Sequence, residues 1–303
     1  MIAEPFVPVS RMHLATRRDT QMKWQGRQGS GNIEDRRGMG MGVGLPVGGG
    51  IGGLVLLLLF SALTGTNLLD LISSSSAPQD QAAGTTGLRD GDPRAEFISV
   101  VLADTEETWR EVFHKRGQAY VPPVLVLFDG ATQSACGVGR SEVGPFYCPT
   151  DRKVYLDLSF FRELDQQFGA PGDFAQAYVV AHEVGHHVQN MLGILQNVTA
   201  ARSNADDRQA NALSVRLELQ ADCYAGVRGH YAAQRGPLEP GDAEEGMNAA
   251  AAIGDDRLQR MAQGQIVPES FTHGSSADRV RWLRRGLDNG AIDACDTFSG
   301  GTN

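Results

Sequence analysis

No C-x-x-C pair occurs in the 303 residues, and the 4 cysteines stand far apart at Cys136, Cys148, Cys223 and Cys295. Structural zinc–thiolate clusters are built from closely spaced pairs, so this pattern argues against one. There is no internal repeat, which removes solenoids and propellers. Positive charge is scarce in the main body. Residues 45–303 hold 20 Lys and Arg against 32 Asp and Glu, and the whole chain carries a net charge of −9. An acidic surface repels a polyanion, so nucleic acid is not an expected partner.

Charge is missing altogether from Gly38 to Leu69. Within that run Val43 to Leu63 is long enough for a membrane span of about 20 residues, although six glycines and Pro46 interrupt it. The leading expectation is a transmembrane anchor over residues 43–65. A cleaved signal peptide and a buried glycine-rich segment are the alternatives. Lys23, Arg27, Arg36 and Arg37 precede the run, and Asp70 follows it. The positive-inside rule then predicts a cell-membrane protein with a cytoplasmic N-terminus and an extracytoplasmic body. On this reading residues 1–42 are a basic, glycine-rich segment without a core, 66–92 a flexible linker and 93–303 a catalytic domain. An even number of cysteines in an exported domain is compatible with two disulfides. Cys136–Cys148, closing a short loop, with Cys223–Cys295 is the favoured pairing, and four buried thiols are the alternative.

The most informative stretch is His182-Glu183-Val184-Gly185-His186. Composition alone would give roughly 0.007 H-E-x-x-H matches by chance. On a helix, residues four apart share a face, so His182 and His186 offer two imidazole nitrogens to one cation. Glu183 lies beside them, within reach of a water that the cation would activate. Zinc is the usual occupant, and amide hydrolysis the usual chemistry. A catalytic zinc needs a third protein ligand. The metzincin pattern would need Gly at 189 and His at 192, and this chain has Gln189 and Leu192. Leu217-Glu218-Leu219-Gln220-Ala221-Asp222 offers another route: Glu218 as ligand and, one turn on, Asp222 to accept the second N–H of a ligand histidine. His187 is off the ligand spacing and is expected to pack or to brace a ligand. His230, Tyr224 and Tyr231 share the Glu218 helix and read as core or rim.

Periodicity predicts helices over Ala95–Arg116, Ser159–Phe168, Asp173–Leu192, Ala205–Gln234, Asp242–Gln263 and Ser276–Asn289, with Gly193–Arg202 as a connector. Asp173 is the expected cap of the motif helix. Branched and aromatic residues predict a strand over Val121–Phe128, and paired strands at Phe146–Cys148 and Lys153–Leu158. The expected fold is α+β: a mainly helical domain with a small antiparallel sheet, after one transmembrane helix. Lys153–Leu158 is the candidate edge on which an extended peptide could add as a strand.

With these motifs in hand, the chain resembles the bacterial family known as “putative neutral zinc metallopeptidases”, membrane-anchored and zincin-like. The resemblance is carried by Met22-Lys-Trp-Gln-Gly-Arg-Gln-Gly-Ser30, Asn32-Ile-Glu-Asp-Arg-Arg37, Cys136-Gly137, Gly144-Pro-Phe-Tyr-Cys-Pro149, His182–Gln189, Glu218–Gly226 and Phe271-Thr-His-Gly-Ser-Ser276. Residues 1–21 lie outside it, which makes Met22 a candidate true start. The resemblance implies a zinc endopeptidase with Zn2+ on His182, His186 and Glu218 and with Glu183 as general base. Similarity to thermolysin-like enzymes implies that Asp222 partners His182, and that His273 donates to the developing oxyanion. Peptides or proteins are the implied substrates, and no oligomeric state is specified. A non-catalytic zinc-binding envelope scaffold and a zinc hydrolase of a non-peptide amide or ester are the competing readings.

Overall fold

The computed structural model describes residues 22–38, 85–89 and 91–299. Helix α1, Pro93–Lys115, starts where Asp92 Oδ1 accepts from the backbone N–H groups of Arg94 and Ala95 at 3.0 and 3.2 Å. Proline in its first turn has no N–H to lose there. Its apolar face, including Ile98, Val101, Leu102 and Trp109, is buried.

Strand β3, Val124–Phe128, forms the centre of a sheet. It starts later than its branched residues suggest, because Pro122 and Pro123 cannot donate to a ladder. The other strands are β1 (Ile33–Asp35), β2 (Thr85–Thr86), β6 (Phe146–Cys148) and β7 (Lys153–Asp157), in the order β2-β1-β3-β7-β6. The expected antiparallel sheet is corrected to a mixed one. β1–β3 and β3–β7 are parallel, while β1–β2 and β6–β7 are antiparallel. The parallel β3–β7 pair is allowed by the long connection between them, which includes a separate hairpin of β4 (Ala131–Ser134) and β5 (Gly137–Arg140). Lys153–Asp157 is therefore not an edge: it is bonded on both sides, and β6 is the outer strand.

A second correction concerns the N-terminal segment. Met22 and Ile33 are 3% and 2% exposed and belong to the main core, and Trp24 meets Phe97 edge-on at 5.6 Å. Leu125 N donates to Asn32 O at 2.9 Å and Arg36 N to Leu127 O at 2.8 Å. Arg37 bridges Asp35 and Asp92. Residues 22–38 are thus part of the same folded body as α1 and β3. Among the described residues no helix is long and apolar enough to cross a membrane. The expected span at 43–65 lies outside the described residues, as does most of the expected linker. A single crossing there would put β1 on one side of a bilayer and its hydrogen-bonded neighbours β2 and β3 on the other. The single-pass arrangement, with a cytoplasmic N-terminus and an exported body, is not compatible with this sheet.

Helices cover the rest: α2 (Phe160–Gln166), α3 (Asp173–Met191), α4 (Ile194–Arg202), α5 (Asp207–Arg235), α6 (Asp242–Ala252), α7 (Asp255–Gln263) and α8 (Ser276–Asn289). Gly172, not Asp173, occupies the cap position of α3; Asp173 is its first helical residue, and its carboxylate faces the backbone of Met22. The expected connector at 194–202 is itself a helix. The helix expected over Asp242–Gln263 is broken at Ile253-Gly254, which turns Asp255 toward the loop at residues 272–274. α5 and α8 approach through Gly226 and Gly286. A Cβ on Gly226 would lie 2.1 Å from Leu283 O, and one on Gly286 2.0 Å from Cys223 O.

Candidate metal centre

Helix α3 carries His182 and His186 on one face, with ring centroids 4.9 Å apart. Helix α5 brings Glu218 across to them. Glu218 Oε2 lies 3.2 Å from His182 Nε2, and Oε1 lies 3.4 Å from His186 Nε2. The two helices come this close because position 185 has no side chain: a Cβ there would stand 3.1 Å from Ala221 O and 3.2 Å from Ala221 Cα. Two nitrogens and a carboxylate oxygen are a zinc donor set, and tetrahedral bonds of 2.0–2.1 Å put donors about 3.3 Å apart. Both carboxylate–imidazole spacings are close to that value, and one donor atom of each residue lies within 4.8 Å of the other two, so the residues present fit the ion.

Each imidazole has its other nitrogen engaged. His182 Nδ1 donates to Asp222 Oδ1 at 2.8 Å, and His186 Nδ1 to Gln189 Oε1 at 2.8 Å. Both bonds select the tautomer whose Nε2 lone pair faces Glu218. Gln189 is itself fixed, its Nε2 donating to Leu217 O at 2.7 Å and Gln220 Oε1 at 3.1 Å. Asp222, fully buried, accepts from Tyr178 Oη at 2.5 Å, from Arg279 Nε on Oδ2 at 2.9 Å and from Arg279 Nη2 on Oδ1 at 3.0 Å.

The electrostatics favour a cation between the helices. Burial alone would raise Asp222 and Glu218, yet Arg279 and His182 hold Asp222 below its ordinary value, and His186 with His182 hold Glu218 well below. Burial opposes a charged His182, but the negative charge of Asp222 outweighs it and lifts the imidazole up to about 10. The same field that stabilises a proton on the ring would stabilise a metal ion. Glu183 is buried beside the histidines, and its carboxyl is raised chiefly by that burial.

His273 sits on the loop after α7. Asp255 Oδ2 accepts from the N–H groups of Thr272, His273 and Gly274, and Asp255 Oδ1 lies 3.3 Å from His273 Nδ1. The side chain remains 42% exposed, and its charge bears on Glu218. His187 points away from the ligands, with Tyr147 Oη 3.0 Å from Nδ1 and Val121 O 2.7 Å from Nε2. Tyr224 is core; His230 bonds Leu287 O, and Tyr231 lies by Lys115. Both expected disulfides are present, Cys136–Cys148 and Cys223–Cys295, the second tying α5, one residue past Asp222, to the C-terminal segment.

Arg279 and Tyr178 were not foreseen. Tyr178 stands four residues before His182 and could have been placed on the same face by helical spacing. No local pattern links residue 279 to residue 222. The second role of Gln189, which aims His186, follows from its i+3 position but not from its residue type.

Comparison with known proteins gives the chain a family. A family model described as “Putative neutral zinc metallopeptidase” matches residues 22–298. “Uncharacterized protein YpfJ” of Escherichia coli (strain K12) is 50% identical over 91% of this chain and 99% of its own length. “Uncharacterized protein Rv2575” of Mycobacterium tuberculosis is 42% identical over 70% of this chain and 74% of its own. No solved structure matches the chain. By the span of that model and the identity to these relatives, the chain belongs to the “Putative neutral zinc metallopeptidase” family.

Proposed function

We propose that the protein is a zinc-dependent endopeptidase acting outside the cytoplasm. The observation that carries the reading is the convergence of His182, His186 and Glu218, one donor atom of each within 4.8 Å of the other two, with Glu183 beside them. A zinc ion held by these residues would polarise the scissile carbonyl and make a water acidic enough to lose a proton near neutral pH. Glu183 takes that proton as the water oxygen bonds to the carbonyl carbon, and delivers it to the nitrogen as the C–N bond breaks. Asp222, held by Arg279 and Tyr178, keeps His182 in one tautomer throughout. His273, with Nδ1 turned to Asp255, has Nε2 to donate to the carbonyl oxygen as it gains charge.

An extended substrate that pairs with the sheet would use β6, one of its two outer strands. Tyr147 on that strand accepts from Asn190 of α3 at 2.8 Å, which ties it to the motif helix. Two disulfides support an oxidising compartment.

The test is cleavage of a diverse peptide library by the purified chain, with and without chelator, beside Glu183→Gln. Cleavage by the wild type should vanish with chelator and return with zinc. The variant should keep its metal and lose turnover by roughly 10²-fold or more. Zinc retention without cleavage of any peptide would sink the peptidase reading.

A further inference from the structure

We propose that Asp173, Asp242 and Glu245 form a socket for a primary ammonium group, and that its occupant is the α-amino group of a chain beginning at Met22. The site lies away from the metal centre, where the start of α3 meets the first turn of α6. One oxygen of each carboxylate lies within 4.8 Å of the other two. Met22 N is already there, donating to Asp173 Oδ2 at 2.7 Å.

The hydrogen bonds do not close around a peptide nitrogen. Asp242 is 1% exposed; its Oδ2 accepts from Glu239 N at 2.8 Å, and its Oδ1 is buried without a partner. Asp173 Oδ1 is also buried and unpartnered. Glu245 Oε2 accepts from Phe174 N at 3.2 Å, and the Glu245 and Asp173 carboxyls are themselves within hydrogen-bonding reach of each other. A peptide N–H has one hydrogen, already given to Asp173. An ammonium has three, as on lysine, and can serve the remaining oxygens.

The charges do not close either. Lys23 pairs with Glu239 and Arg228 with Asp104, and the charge of Arg228 lowers Asp242 without reversing its rise. The helix N-termini of α3 and α6 favour carboxylates but supply only a fraction of a charge. Burial and the neighbouring charge of Asp173 push Asp242 up to about 6 and Glu245 up to about 7, as expected of acids that lack a counter-ion. An α-ammonium at Met22 supplies that positive charge in place. A divalent cation would compete for the same oxygens, but Met22 N occupies the approach to Asp173. The Met22 side chain is 3% exposed in the core, and Lys23 N donates to Pro237 O at 2.7 Å, so the chain end is fixed on both sides. Because Asp173 opens the helix of His182, Glu183 and His186, a free amine at Met22 would brace the start of the catalytic helix. A preceding residue, or a formyl or acyl cap, removes the charge.

Intact mass and N-terminal sequence of the protein made from its own gene should begin at Met22; any other first residue overturns the proposal. In that protein, folded, the α-amine should acylate at least roughly tenfold more slowly than in the unfolded chain, the effect of one unit of pKa. Equal rates would overturn it. Asp242→Asn should restore reactivity, and Glu245→Gln gives the same readout if the first variant does not fold. A bound equivalent of zinc, calcium or magnesium that is lost in either variant while the active-site zinc stays would assign the cluster to a metal and overturn the proposal.

Discussion

Arg279 grips both oxygens of Asp222, Nε on Oδ2 at 2.9 Å and Nη2 on Oδ1 at 3.0 Å, with neither side chain more than 3% exposed. The guanidinium lets a fully buried carboxylate stay ionised next to His182. Arg279→Met should leave Asp222 without a counter-charge, at roughly 3–5 kcal/mol of folding stability. Zinc affinity should fall by about 10–100-fold, the usual effect of losing a group that orients a ligand. Competition with a chromophoric chelator measures it; unchanged zinc affinity in a folded variant would remove Arg279 from the chain of support.

Asp255 holds the His273 loop through three backbone N–H groups. Asp255→Asn should lower kcat while leaving zinc stoichiometry unchanged, because the loop and not the ligand set is loosened. The same pair gives a pH signature. Burial would raise the Asp255 carboxyl, but its bonds to His273 and to the loop lower it below 3.8. A carboxylate depressed in the folded state adds stability that is present above its unfolded pKa and is lost as pH falls through the folded value. Burial alone would lower His273, but the same pairing raises it above 6.5. The stability gap between wild type and Asp255→Asn should therefore be widest at mildly acid pH, shrink below about pH 4 as Asp255 protonates, and shrink again as pH rises through the folded value of the imidazole. Denaturant midpoints across that range test it.

The Gly226–Gly286 contact sets how closely α8 lies on α5, and hence whether Arg279 reaches Asp222. Gly226→Ala puts a methyl carbon 2.1 Å from Leu283 O, a backbone atom that cannot rotate away. The change should cost at least about 1–3 kcal/mol by overpacking. It should also weaken zinc binding, although Gly226 is not itself one of the candidate ligands. A drop in melting temperature without any change in zinc affinity would show that α8 shifts without moving Arg279.

Residues 22–38 and the α3–α5 body must share a compartment, because β1 is hydrogen-bonded into the sheet. A cysteine introduced at Gln28 and one at Arg208 should react with a membrane-impermeant thiol reagent on the same side in whole cells and spheroplasts. Opposite sidedness would contradict the sheet.

The metal centre was legible because its parts repeat at helical spacing: His182 and His186 on one helix, Glu218 and Asp222 on another. Proximity along the chain encoded both the ligand face and the brace for one ligand. Arg279 was illegible because its relation to Asp222 exists only once α8 crosses α5. The sheet was misread for a similar reason. Val154, Tyr155 and Leu156 announce a strand, but nothing in them states whether it has one neighbour or two. Lys23 to Arg37 were read as topological charge, yet Arg37 pairs with Asp35 and Asp92 inside the fold, and Ile33 fills the core. A charge run flanking an apolar stretch looks the same in either case.

Asp35 stands directly opposite Thr85 in the β1–β2 ladder. The chain thus leaves the sheet after β1 and rejoins it in β2 beside the point of departure. The entropy of closing such an excursion grows only logarithmically with its length. Joining Asp35 to Thr85 by a tight turn would therefore keep the ladder between β1 and β2 in register.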